Sequence, residues 1–143
     1  MFWAAAAFNF AMGGPIFLAS EWTYRVAYVA EPSPDAIRFW GDFGYAVLVI
    51  GAGYGVVAAD VTRNHGIVWL GVIAKLFDVI ALSTRCFNGA AHTLVLLPAL
   101  IDALFIIAFL AFLLSIRKAM TGSPIPCPVD AVTGEPLARR FGR

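Results

Sequence analysis

The chain has 143 residues, 61% hydrophobic and only 13% charged, with a formal net charge of +1 and a mean hydropathy of +0.82. A soluble domain is nearer about half apolar and about a quarter charged, and here the apolar residues fall in long runs, the mark of membrane-spanning segments. The length suits one domain, and with no basic stripe interleaved with aromatics the composition gives no support to nucleic-acid binding.

The first apolar run is Phe2–Ser20, interrupted by Asn9, with Pro15 placed to kink it. About 19 residues rising about 1.5 Å each give about 28 Å, close to the thickness of a bilayer's hydrocarbon core. No basic n-region or small-residue cleavage site precedes Glu21, so this run is expected to stay as a helix. Glu21–Pro32 reads as a polar and aromatic connector, with Trp22, Tyr24 and Tyr28 as an interfacial belt.

Ser33, Pro34 and Asp35 spell a helix start: an N-cap, a proline at the first helical position and an acid in the first turn. Segment two runs from there through Trp40–Ala59 to Asp60. A short turn of Asp60, Thr62, Arg63, Asn64, His65 and Gly66 leads to segment three, Ile67–Thr84. A second turn, Arg85–His92, carries Asn88 and Gly89 and leads to segment four, Thr93–Ile116, which Arg117 and Lys118 stop. The remaining stretch, Ala119–Arg143, holds four of the eight prolines and ends on Arg139, Arg140 and Arg143. It reads as an extended or disordered tail that a partner could order.

The expected fold is therefore an all-α membrane protein: a four-transmembrane-helix antiparallel bundle over residues 1–118 with a Pro-rich basic cytoplasmic tail over 119–143. Short turns make successive helices antiparallel neighbours, and four spans put both termini on one side. That side carries Arg63, Arg117 and Lys118, against Arg25, Arg38 and Arg85 on the other. The basic end of the tail tips the balance toward both termini being cytoplasmic. Cys86 and Cys127 then lie on opposite sides, so no disulfide is expected between them.

Charges inside the spans are the most informative residues. Lys75 and Asp78, three apart on segment three, share a helix face. Counting about 1.5 Å per residue from the cytoplasmic end puts Lys75 about 13 Å deep and Asp78 about 18 Å, and Asp102 of segment four reaches about 16 Å from the other side. Asn9 of segment one reaches a similar depth, so the four residues form one expected intramembrane polar cluster.

A charge at the bilayer centre costs roughly 2.5–3.5 kcal/mol, and each strongly apolar residue returns about 0.3–0.6. Ten such residues lie between Ile67 and Leu82, so segment three is a marginal span that inserts with segment four as a hairpin, its charges facing inward. The structural reading of the cluster is a buried lysine–carboxylate pair that fixes helix register. The functional reading is a ligand site or proton pathway, and one lysine facing two carboxylates is the imbalance a proton-linked site requires.

Segment two presents a stripe of small residues, Gly44, Gly51, Gly55 and Ala59 with Leu48 among them, that allows close helix approach within the bundle or between copies. Gly51-Ala-Gly-Tyr-Gly55 is not a dinucleotide loop, because Val56 stands where the third glycine belongs and no strand precedes it. The other face carries Asp42, Tyr45 and Asp60, with Asp42 within expected reach of Arg85 or Arg38 as an interfacial ion pair.

His65 and His92 fall on opposite sides in this topology, which excludes a shared metal site, and Cys86 with His92 would supply only two ligands. No catalytic triad order, His-Glu-x-x-His, phosphate loop or haem-attachment motif is present, and no cofactor is implied.

The chain resembles the small bacterial four-helix membrane proteins grouped as DoxX-like. Phe8-Asn9 with Gly13-Gly14-Pro15, Gly53-Tyr54 with Ala58 and Asp60, Ala74-Lys75-Leu76, and Asp102 carry the resemblance, over roughly Phe8–Ser115 and without the tail. It implies a bacterial inner-membrane location and an accessory role, since such proteins include accessory members of membrane redox systems. The first expectation is therefore a non-enzymatic accessory or interaction subunit, with membrane lipids and other membrane subunits or further copies of itself as partners. The alternatives are a bundle that binds a small molecule, lipid or quinone or passes protons through the midplane charges, and an intramembrane enzyme using a carboxylate as general acid or base. A cavity reaching Asp102 favours either alternative; a filled interior favours the first.

Overall fold

In the computed structural model, which describes residues 1–61 and 63–122 with side chains through 118, helices form where the apolar runs lie. The order is α1 (Phe2–Leu18), α2 (Ser20–Ala27), α3 (Pro34–Ala59), α4 (His65–Phe87), a short 3-10 turn (Thr93–Val95) and α5 (Leu96–Gly122). The described residues are all-helical apart from an isolated antiparallel bridge between Tyr28 and Ala91. The chain divides into two units, Met1–Leu113 and Leu114–Arg143, and the core and the polar site lie in the first. Residues 123–143, most of the expected tail and Cys127 with it, lie outside the described residues.

Three helices are long and apolar enough to cross a membrane: α3, α4 and the stretch Thr93–Lys118. At about 1.5 Å per residue, α3 and α4 are about 39 and 34 Å long. A fourth span is present if α1 and α2 are counted as one bent element, the two meeting at 110°.

Local signals account for most helix ends. The Ser33 hydroxyl accepts from the Ala36 amide at 3.2 Å, and Pro34 opens α3, as the sequence spells out. At the end of α4, Gly89 takes a positive φ of 72° and its amide donates to Cys86 at 3.0 Å, a conformation that favours glycine. Helix α1 runs through Pro15, and the chain turns instead at Ala19, whose φ of −133° and ψ of 50° break the helix.

The expected connector Glu21–Pro32 is in fact largely helical, because α2 occupies Ser20–Ala27. Its Thr23 hydroxyl accepts from the Trp40 indole at 3.0 Å and donates to the carbonyl oxygen of Ala19 or Ser20. The belt reading is corrected for Tyr28, which is buried against Trp40 with ring centroids 5.2 Å apart, whereas Trp22 is exposed. Backbone bonds from Val29 to Ala90 and from His92 to Ala27, at 3.2 and 2.9 Å, tie the end of α2 to the α4–α5 turn.

Helices α1 and α3 pack through glycine. A Cβ on Gly44 would lie 2.6 Å from the Phe17 amide nitrogen, one on Gly13 2.9 Å from the Gly44 carbonyl oxygen, and one on Gly51 3.0 Å from the Asn9 Cβ. The seam loosens at Gly55, where the nearest atom is a Trp3 ring carbon at 3.9 Å. Gly71 of α4 plays the same part toward α3, leaving room for the Tyr54 hydroxyl. The core of this half joins Phe2, Tyr54, Val57, Val68 and Phe109. A second cluster gathers Ile16, Tyr28, Trp40, Ala91 and Val95.

Candidate functional site

The close α1–α3 seam fixes where Asn9 points. Asn9 is buried, its amide nitrogen donates to the Val47 carbonyl oxygen of α3 at 3.3 Å, and its oxygen accepts from the Lys75 ammonium of α4 at 3.2 Å. The same ammonium forms an ion pair with Asp102 Oδ1 of α5. Lys75 and Asp102 are 3% and 6% exposed, deep enough that each needs the other. Aromatic faces surround the ammonium, which lies 5.3 Å from the Phe8 ring centroid, 5.1 Å from Phe105 and 5.8 Å from Tyr54. Four helices thus meet at one buried charge.

Asn9, Lys75 and Asp102 are brought together as the depth count expects. Asp78 is half-buried, lines the same cavity and makes no hydrogen bond or ion pair among the described residues. Asp102 Oδ2 is likewise without a hydrogen-bond partner there.

These groups form the inner end of a cavity of about 360 Å³. Trp40, Phe43 and Val47 of α3 wall it. On its open side lie exposed residues of α1 and α2 (Ala11, Pro15, Trp22, Val26), of the 3-10 turn (Leu94) and of the start of α5 (Leu97). Side chains there are apolar, so the mouth is rimmed by apolar groups rather than by charges. The 110° turn at Ala19 carries α2 across this side, and Thr23 and Ala27 line the cavity from it.

The structure does not bring Asp42 to Arg85. Asp42 is exposed and unpaired among the described residues, while Arg85 donates to the Tyr28 hydroxyl with its guanidinium 5.4 Å from that ring. Arg38 reaches Asp35, at 4.0 Å. Tyr45 is exposed, and Asp60 caps the end of α3, its carboxylate accepting from the Arg63 amide at 3.2 Å. Gly44 and Gly51 serve the α1 contact, and Gly55 borders it. No group of three or more His, Cys, Asp or Glu suited to a metal occurs among the described residues. Cys86 is free and half-buried.

Sequence reasoning missed Tyr54, Phe8, Phe105 and Trp40 as parts of the site. Tyr54 is fully buried with a hydroxyl that finds no hydrogen-bond partner among the described residues. Only its position a helix turn from Gly51 could have flagged it.

No family model matches the chain, and neither a curated protein nor a solved structure matches it. The DoxX-like resemblance therefore rests on the residues that prompted it.

Proposed function

We propose that this chain is a membrane-embedded binding protein for a small, largely apolar molecule, held in the cavity with its polar end at Asn9, Lys75, Asp78 and Asp102. The observation that carries this reading is the cavity itself: about 360 Å³, apolar at its mouth and ending on a buried ion pair. Pockets that bind small molecules are mostly apolar with a few convergent polar groups, and intramembrane charges commonly mark ligand or ion pathways. The cavity moves the preference away from a purely structural accessory subunit, which a filled interior would have suited.

The supporting frame is a four-span antiparallel bundle. In it α1, α3, α4 and α5 cross a bacterial inner membrane with both termini cytoplasmic, and α2 lies along the outer interface. The apolar mouth then opens sideways toward lipid.

Native mass spectrometry of the protein, purified in mild detergent from its own membranes, tests the reading. A single small molecule should remain bound at one-to-one stoichiometry and be absent from an Ala74→Trp variant, whose new ring fills the cavity beside Lys75. Retention of nothing but bulk phospholipid, equal in both proteins, would overturn it.

A further inference from the structure

We infer that the ligand carries an ammonium group, and that Asp78 is its counter-ion. The inference rests on the proposed binding role and names the class of ligand. It follows from which hydrogen-bonding groups around the cavity are already used.

Most of the donors are engaged, with the third hydrogen of Lys75, the second amide hydrogen of Asn9 and the Trp22 indole left over among the described residues. The Trp40 indole donates to Thr23, the Thr23 hydroxyl to the backbone of Ala19 or Ser20, and the Asn9 amide to Val47. The Lys75 ammonium, the cavity's one cation, is engaged by Asp102 and Asn9. The acceptors are not: both oxygens of Asp78 and the second oxygen of the nine-tenths-buried Asp102 are unpartnered among the described residues.

An anionic ligand would face two carboxylates against one ammonium, and a neutral one would leave that excess of negative charge unbalanced. A protonated amine supplies donors for the free carboxylate oxygens together with the positive charge that balances them. Charge-assisted hydrogen bonds of this kind are the strong ones, and the rings of Phe8, Trp22 and Trp40 that line the cavity suit a cation as well. The apolar walls set the rest of the molecule: a hydrocarbon or aromatic body.

Three probes of one body and different heads decide the matter: naphthylmethylamine, naphthylmethanol and naphthoate, titrated into the full chain in zwitterionic lipid nanodiscs and read by tryptophan fluorescence. The amine should bind about tenfold more tightly than the alcohol, a difference of about 1.4 kcal/mol, and naphthoate weakest. Asp78→Asn should bring the amine down to the level of the alcohol, since it removes the carboxylate's charge at nearly the same size.

Equal binding of all three probes would overturn the ammonium assignment while leaving the binding role intact, as would naphthoate binding best. Saturable binding of none would instead remove the binding role beneath it. Undiminished amine affinity in Asp78→Asn would overturn the counter-ion assignment. Should that variant fail to fold, the order of the three probes on the unmodified chain still decides the head group.

Discussion

Lys75 and Asp102, on successive long helices, form an ion pair whose side chains are 4% and 8% exposed, and Asn9 of the first helix closes the site from the other side. Breaking such a pair from one side leaves an uncompensated buried charge. Lys75→Met should therefore cost roughly 3–5 kcal/mol, and Lys75→Met combined with Asp102→Asn should recover much of it. Melting temperatures and folded yields of the two single variants and the double variant check this. A double variant no better than Lys75→Met alone would show that the pair is not what makes Lys75 tolerable.

The glycine seam predicts an order. Gly44→Leu should be more damaging than Gly51→Leu, because the new Cβ meets α1 backbone at 2.6 Å in the first case and a side-chain carbon at 3.0 Å in the second. Gly55→Leu should be mild, with only a Trp3 ring carbon at 3.9 Å to move. Overpacking of this kind costs typically about 1–3 kcal/mol. Thermal unfolding in detergent reads the series, and equal losses at all three positions would show that the seam is not graded.

Among the described residues, one side-chain hydrogen bond joins α2 to α3. Thr23→Val keeps the shape of the side chain and removes the acceptor of the Trp40 indole, which is buried. The unsatisfied donor should cost about 1–3 kcal/mol, with faster amide exchange confined to residues 20–27. Exchange unchanged there would show that the backbone ties at Ala27 and Val29 hold α2 alone.

The proposed topology predicts labelling from opposite sides. Cys86 is half-buried, so Asn88→Cys, exposed in the α4–α5 turn, is the better reporter in a chain with Cys86 replaced by Ala. An impermeant thiol reagent should reach position 88 from outside and Cys127 only after lysis. The reverse would invert the orientation, and outside labelling of both would change the number of spans.

What was legible in the sequence was whatever can be counted along one chain. Ser33, Pro34 and Asp35 announce α3 because capping is local, and depth counting puts Asn9, Lys75 and Asp102 on one level because rise per residue is constant. Direction around a helix was not legible. Asp42 was expected within reach of Arg85, yet Arg85 goes to Tyr28, whose burial depends on α2 folding back from Ala19. The local mark of Ser20–Ala27 as a helix is slight, the Glu21–Arg25 pair four residues apart, and eight residues are too few to show a period. The cavity was equally invisible, since it is the space that five helices and a 3-10 turn fail to fill.

Asn9 has a consequence for how such a chain would be assembled during synthesis. Helices emerge from the ribosome in chain order, so α1 and α3 can close their glycine seam while α4 is still being made. In that interval the Val47 carbonyl oxygen already holds the Asn9 amide nitrogen, leaving the amide oxygen turned toward the place that Lys75 will occupy. A marginal helix then arrives to find a polar partner at the right level before its carboxylate, made later still, is available. Asn9→Leu should accordingly lower the fraction of chains whose α4–α5 turn crosses the membrane, mapped with a glycosylation tag in that turn, while insertion of α3 is unchanged. An unchanged fraction would leave α5 as the sole helper. On this account a helix made earlier serves as a template for the one least able to enter lipid alone.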